Sequence, residues 1–323
     1  MYKKISAILV PTIFAMGIIA YMLYRVWDDL VTALQLIVPG YLAIAIIICL
    51  FAWWLRGWRY HTILNSLNYA VSVTVATACI FVSQTVNLIV PARLGDFVRV
   101  FILKHEYNTT YSEGVSSLVV ERVFDIVTIA LLGAVSLMFV LNARSEFYII
   151  IFVPIIACLV FFVFLLFIGE KLSKNRYIQI ILTMVHEIKR ASLSLRSIVL
   201  LGGSSLVIWL IDILVCYTVV LMFQQNIPFA IVVLAIVIGN LVKAVPLTPG
   251  GVGTYELSLA VTFGLAGVSP AVATLIAVID HLIKNLVTLA GGIVSIYYFG
   301  DWVIPRIKSA FNSKFEGEDT SGR

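Results

Sequence analysis

The sequence predicts an all-α polytopic membrane protein: about six full spans plus two re-entrant helical hairpins in an inverted-topology repeat. Three observations lead there. Of 323 residues, 61% are apolar and only 12% charged, where a water-soluble domain carries roughly 25% charged residues. The stretches 5–24, 37–55, 70–90, 126–141 and 147–168 contain no Asp, Glu, Lys or Arg, and 197–223 contains only Asp212. At 1.5 Å per residue, runs of this order cross a hydrocarbon core of ~30 Å. The third observation is a pair of proline–glycine breaks, Pro91/Gly95 and Pro249/Gly253, in matching contexts.

Taken in order, Lys3 and Lys4 place the N-terminus in the cytoplasm. The run 5–24 exceeds a signal-peptide core, and Arg25-Val-Trp-Asp-Asp29 is no cleavage site, so an uncleaved first span is expected. Residues 25–36 then lie outside, and 37–55 returns to Arg56-Gly-Trp-Arg59-Tyr-His61 inside, beside Trp53, Trp54 and Trp58. The loop 169–196 is the most basic in the chain, with Lys171, Lys174, Arg176, Lys189, Arg190 and Arg196 against Glu170 and Glu187. It belongs inside. If 70–90, 118–141 and 147–168 all crossed, that loop would be outside, so one of them must enter and leave on the same face. The segment 70–103 fits best: it holds Gln84 and Asn87, breaks at Pro91-Ala-Arg-Leu-Gly95-Asp96 and returns through 97–103. Irregular backbone at depth is tolerated where it lines a polar cavity.

The second half repeats this order. Asn240-Leu-Val-Lys243-Ala-Val-Pro246 leads into Pro249-Gly-Gly-Val-Gly253-Thr-Tyr-Glu256. Serine-led stretches follow each break, at Ser112 and Ser269, and then long spans bearing Glu121-Arg122 and Asp280-His281 and closing with Gly133 and Gly291-Gly292. The offset between corresponding features stays at 157 to 159 residues. With 197–223 running outward, 229–268 dips in from outside and 271–299 returns to a cytoplasmic tail with Arg306 and Lys308. The expected organisation is one transmembrane domain, 1–303, with repeat halves about 70–141 and 229–299, and a polar cytoplasmic tail, 304–323, whose part 309–323 has a disordered composition. Hairpins entering from opposite faces meet near the midplane, where such folds bind substrate. Ile178, Ile181, Leu182, Val185 and Ile188 recur at helical spacing in the basic loop, the pattern of a helix on an anionic leaflet or of a plain connecting helix.

Ionisable residues inside the apolar region are expensive and need a reason. The first half offers Asn87, Arg93, Asp96, Arg99, Glu121, Arg122 and Asp125; the second offers Asn240, Lys243, Glu256, Asp280, His281 and Lys284. Pro91, Gly95, Pro246, Pro249, Gly250, Gly251 and Gly253 are the helix-breaking positions. Arg93 and Lys243 are placed to face one another, and half-helix N-termini beyond each break offer N–H groups to a phosphate or carboxylate. Glu121 and Asp125 share a helix face and are expected to hold Arg122, while Asp280 and Lys284 are spaced to pair beside His281. Asp212 is a partner for Lys243 or Arg122. The alternative for all of these groups is mutual neutralisation that fixes helix packing, and for His281 an ordinary hydrogen-bonded histidine rather than a proton relay. Cys49, Cys79, Cys158 and Cys216 lie in apolar runs without metal-site spacing. No hydrolase, metalloprotease or nucleotide-loop motif occurs, since Pro249-Gly-Gly-Val-Gly lacks the GK[ST] ending. No catalytic group, metal, cofactor or nucleic acid is expected.

At the two breaks the chain resembles the flippase-like family named for the transmembrane region of lysylphosphatidylglycerol synthase. The resemblance rests on Asn87, Pro91, Arg93, Gly95, Asp96 and Arg99, then Glu121, Arg122 and Asp125, and on Pro246-Leu-Thr-Pro-Gly-Gly-Val-Gly-Thr-Tyr-Glu256, within a match over roughly 5–300. His281 stands where the bacterial family usually has arginine. The resemblance implies movement between leaflets of an aminoacylated or other polar lipid, or of a polyprenyl-phosphate-linked glycan, in a plasma membrane. It also implies membrane lipids as partners, with a glycosyltransferase or lipid-modifying enzyme alongside. A membrane enzyme or accessory subunit of a lipid-linked glycosyltransferase or lipid-modifying system, and a small-solute secondary transporter, are the competing readings.

Overall fold

The computed structural model describes residues 2–35, 37–90, 92–140, 143–167, 175–300 and 302–305. Pro91, the loop cations Lys171 and Lys174, and the tail from 306 onward lie outside the described residues. Twelve α-helices account for almost all of it: α1 Tyr2–Arg25, α2 Trp27–Leu34, α3 Gly40–Ser66, α4 Val73–Ile89, α5 Asp96–Tyr107 and α6 Tyr111–Leu137. The remainder are α7 Ser145–Phe167, α8 Arg176–Ser192, α9 Leu195–Met222, α10 Phe229–Ala244, α11 Thr254–Phe263 and α12 Pro270–Phe299. Among the described residues there is no strand.

Four helices, α3, α7, α9 and α12, are long and apolar enough to cross a membrane. Helices α1 and α6 match them in length, at 24 and 27 residues, but α6 carries Glu113, Glu121, Arg122 and Asp125. At 1.5 Å per residue, α4 and α10, with 17 and 16 residues, reach only ~25 Å. Position in the bundle follows from burial. Only 17% of the apolar window of α7 is buried, against 61% for α12, so α12 is central and α7 forms the rim. The outward face of α7 presents Ile149, Val153, Ile156, Val160 and Val163 without a charge, which only a hydrocarbon solvent accommodates.

Local signals explain where the elements start. Ser72 caps α4 by accepting the Val75 N–H at 3.2 Å, and Ser194 caps α9 by accepting the Ser197 N–H at 3.0 Å. Thr110 and Glu113 form a reciprocal capping box at the head of α6. Pro270 opens α12 at the one helical turn where its missing N–H costs nothing. The short α2, between Arg25 and residue 36, was not expected from the sequence.

One order of elements occurs twice: a short apolar helix, a break, a shorter helix, then a long helix. In the first half these are α4, α5 and α6; in the second they are α10, α11 and α12. The halves pack crosswise, α4 against α12 and α10 against α6. Small residues permit both contacts. Gly133 of α6 lies against Val237 of α10, and Gly291 and Gly292 of α12 lie against Phe81 and Thr85 of α4. The Thr85 hydroxyl donates to the Thr288 carbonyl at 2.9 Å across the second contact. Helix α8 packs its Val185, Ile188 and Ala191 inward on α6 and leaves Tyr177, Ile178, Ile180 and Ile181 exposed.

Candidate functional site

The first break is held by one carboxylate. Asp96 begins α5, where the helix N-terminus favours negative charge. Its oxygens accept from Ser83 at 3.2 Å, Gln84 at 3.1 Å, Asn87 at 2.9 Å and Arg122 at 3.2 Å. The polar residues that interrupt the apolar run of α4 therefore clamp the following half-helix. Gly95 sits so close to the Ser83 carbonyl and Asn87 that a side chain there has no room. Between the helices, Ala92 and Arg93 adopt left-handed backbone with φ of 61° and 52°, a conformation that costs a non-glycine residue roughly 1 kcal/mol or more.

Behind this turn lies a buried ionic layer. Arg59 of α3 grips Asp125 of α6 through two bonds of 2.6 and 3.0 Å, the bidentate geometry of a strong guanidinium–carboxylate pair. Ser205 accepts from Arg59 at 2.7 Å, and the Trp209 indole donates to Asp125 at 3.1 Å. Arg99 pairs with Glu121 at 2.6 Å and lies over the Tyr60 ring. Arg122 is thus not held by Glu121 and Asp125; Asp96 takes it instead. Successive helix positions diverge by about 100°, so Glu121 and Arg122 point apart, and helices from elsewhere reach the carboxylates first.

The second break is built from glycine. Gly250, Gly251 and Gly253 have φ of 62°, 78° and 85°. The stem of Lys243 passes over Gly251, and Gly253 abuts Ala15 and Ile18 of α1, so a side chain at either place collides. The Gly253 N–H donates to Glu256 at 2.7 Å; the expected free N–H at this half-helix start is capped by the protein itself. Glu256 also meets His281 Nδ1 at 2.7 Å, and His281 Nε2 meets the Lys243 ammonium at 3.0 Å. A charged ammonium only donates. Nε2 must therefore hold the lone pair and Nδ1 the proton that goes to Glu256, a tautomer assigned from these neighbours. Lys284 bridges Asp280 at 3.0 Å and Asp212 at 3.1 Å, and Arg56 reaches Asp212 at 3.0 Å. Asp212 serves Arg56 and Lys284, not Lys243 or Arg122. The Tyr255 hydroxyl donates to Asp280 at 2.7 Å.

Between the breaks lies a cavity of about 420 Å³. Gly250 packs directly beside Leu88 of α4, so the two breaks meet. Of the sequence-chosen residues, Asn87, Arg93, Asp96, Glu121, Arg122 and Asp125 line this cavity from the first half, and Asn240, Lys243 and Lys284 from the second. Four others stand behind the wall: Arg99, Asp280 and His281 are at most 1% exposed and Glu256 is 4% exposed. Among the break positions, Pro246, Gly250 and Gly251 are on the wall. Arg56 and Arg59 also line the cavity and were missed as site residues, because the apolar run ends at 55 while α3 continues through Ser66. Their spacing of three, which puts both on one face of a continuing helix, was the available signal.

Two cations on this wall differ from the rest. Arg93 has no hydrogen bond or ion pair among the described residues, and Lys243 has no carboxylate within reach, only His281 and the face of Tyr255.

The sequence profile described as Lysylphosphatidylglycerol synthase TM region matches residues 8–292. The chain belongs to this family. Glycosyltransferase AglD of Haloferax volcanii is 33% identical over 303 residues; the match covers 80% of this chain but only 48% of that protein. A UPF0104 membrane protein of Methanocaldococcus jannaschii is 29% identical over 223 residues, covering 66% of this chain and 93% of the relative. A second, from Pyrococcus horikoshii, is 25% identical over 269 residues, covering 73% and 80% respectively. No solved structure matches. Family and helices together make this a multi-pass membrane protein.

Proposed function

We propose that the protein moves a lipid with an anionic or zwitterionic head group across the bilayer, the head group travelling through the cavity between the two breaks. The observation that carries this reading is a cavity between membrane helices lined by ten charged side chains, with one cation from each break that has no carboxylate partner among the described residues. Its ~420 Å³ lies in the range of small-ligand sites, which suits a head group with its acyl chains outside. Ile89, Val245 and Leu247 at the rims of the breaks are exposed and apolar, as contact with those chains requires.

In this reading α4–α5 and α10–α11 are re-entrant hairpins of an inverted repeat within one transmembrane domain. Six long helices cross, both termini face the cytoplasm, and the plasma membrane is the seat. Helix lengths, crosswise packing and the basic loop support it. Rocking of one half against the other along the glycine contacts of α6 and α12 would expose the chamber to alternate leaflets. Cysteines placed by Asn108→Cys and Asn226→Cys are expected to label from the cytoplasmic and the external side respectively; labelling of both from one side refutes the arrangement.

The functional test is a fluorescent phospholipid in vesicles carrying the purified protein. Exchange between leaflets is expected to exceed that of protein-free vesicles and to return to that level in Arg93→Gln/Lys243→Gln. The likeness to AglD favours a second reading, in which the protein serves a lipid-linked glycosyltransferase as partner or subunit. Glycosyl transfer by this chain alone, without lipid movement, would establish that reading instead.

A further inference from the structure

The charges on the cavity wall bear on which head group fits. Six cations line it: Arg56, Arg59, Arg93, Arg122, Lys243 and Lys284; four carboxylates face them: Asp96, Glu121, Asp125 and Asp212. Each carboxylate already holds a cation: Asp96 with Arg122, Glu121 with Arg99, Asp125 with Arg59, and Asp212 with Arg56 and Lys284. Two cations of the wall, Arg93 and Lys243, have no carboxylate ion pair among the described residues; with Arg99, Asp280 and Glu256 behind the wall counted and His281 neutral, seven cations stand against six carboxylates. The carboxylates behind the wall are held too, Glu256 by the N–H groups of neutral His281 and Gly253 and Asp280 by Lys284. Nor is the Trp53 ring free to take a cation, since it stacks on Phe81 and already lies under Arg56.

We infer that the head group is a phosphate ester without an amine, a lipid phosphomonoester or phosphodiester, and that aminoacylated lipid is excluded. The inference rests on the lipid-moving function proposed above and narrows its cargo. A phosphate ester carries at least one negative charge and offers acceptor oxygens to both Arg93 and Lys243. Arg93 supplies a planar fork suited to two of those oxygens, and Lys243 a point charge. A lysyl or alanyl group brings one or two ammonium ions into a space where, among the described residues, every wall carboxylate already holds a cation. A like charge beside Arg93 and Lys243 there is strongly unfavourable.

The test uses vesicles of phosphatidylcholine with the purified protein and a trace of acyl-labelled phosphatidic acid, phosphatidylglycerol or lysyl-phosphatidylglycerol. The first two are expected to change leaflet at least about ten-fold faster than the third, a difference of ~1.4 kcal/mol. Equal or faster movement of the lysyl lipid overturns the charge assignment while leaving lipid movement standing. If none of the three moves above the protein-free rate, the underlying function fails and the inference with it. A parallel arm follows radiolabelled inorganic phosphate; its uptake without lipid movement assigns the anion to a soluble source and overturns the lipid assignment. Arg93→Glu, which exchanges a cation for a carboxylate on the wall, is expected to narrow or invert the preference. Should that variant not fold, Arg93→Gln serves, and an unchanged preference in a folded Arg93→Gln protein overturns the inference.

Discussion

The two breaks achieve the same turn by opposite means. At the first, left-handed backbone falls on Ala92 and Arg93, residues with side chains; at the second, it falls on Gly250, Gly251 and Gly253. The difference follows from what each turn must present. The first break carries its cation on the strained residue, so Arg93 itself accepts the unfavourable conformation and is directed at the cavity wall. The second break carries its cation one helix end earlier, at Lys243, and the turn must clear a path for that long stem, which only glycine at 251 allows. The surrounding electrostatics diverge in the same way. The first half fixes its charges in tight guanidinium–carboxylate pairs, while the second links Lys243 to Glu256 through a neutral imidazole. Strain therefore sits where it delivers a cavity-facing group, and space is cleared where the group comes from elsewhere.

That contrast can be broken in several places. The largest effect is expected from Arg59→Gln, which leaves Asp125 buried without its charge partner; such losses cost about 3–5 kcal/mol. Thermal unfolding in detergent should show a much lowered midpoint and poor recovery. Next come Arg93→Gln and Lys243→Gln, each expected to slow lipid exchange by about ten-fold or more, the worth of one charged hydrogen bond of ~1.5–3 kcal/mol. Their melting midpoints should stay near wild type, since neither residue closes an ion pair among the described residues. A loss of stability as large as that of Arg59→Gln would make them structural and erase the distinction.

The turn chemistry gives opposite signs at the two breaks. Gly251→Ala is expected to destabilise by roughly 1–3 kcal/mol, from positive φ and the collision with Lys243 together. Ala92→Gly relieves a left-handed alanine and is expected to be neutral or stabilising by up to about 1 kcal/mol. If both variants destabilise alike, the comparison of the breaks is wrong. The smallest effect is expected at α8, which is not among the helices apolar enough to span a membrane. Glu187 of α8 accepts from Ser112 at 2.8 Å and Ser116 at 2.7 Å, and burial pushes its carboxyl above the usual glutamate range. A folded-state value above the unfolded one means that stability is gained as pH falls through it and is absent at higher pH. Glu187→Gln should therefore leave the melting midpoint at pH 7 unchanged or slightly raised, and should flatten its rise on acidification.

Much of this architecture was readable from apolar runs and breaks, because in hydrocarbon the backbone must satisfy itself and departures from helix stand out. Nine of the thirteen residues chosen for ionisable or amide character inside those runs do line the cavity. The pairing was not readable. Sequence reasoning gave Arg122 to its neighbours Glu121 and Asp125, yet Asp125 is taken by Arg59, 66 positions away. In a bundle the nearest opposite charge comes from the adjacent helix as often as from the next turn, and one chain gives no record of which helices are adjacent. The reach of α3 was hidden too, since hydropathy ends at residue 55 while the helix carries Arg56 and Arg59 on into the site.

Among the described residues Arg93 and Lys243 have no carboxylate partner, and the proposed function gives them a lipid anion instead. Native mass spectrometry of the protein released gently from its membrane tests this directly. Wild type is expected to retain a phosphate-bearing lipid at one copy per chain, and Arg93→Gln/Lys243→Gln, folded and equally stable, to have lost it. Retention of the same lipid by the double variant would contradict the account.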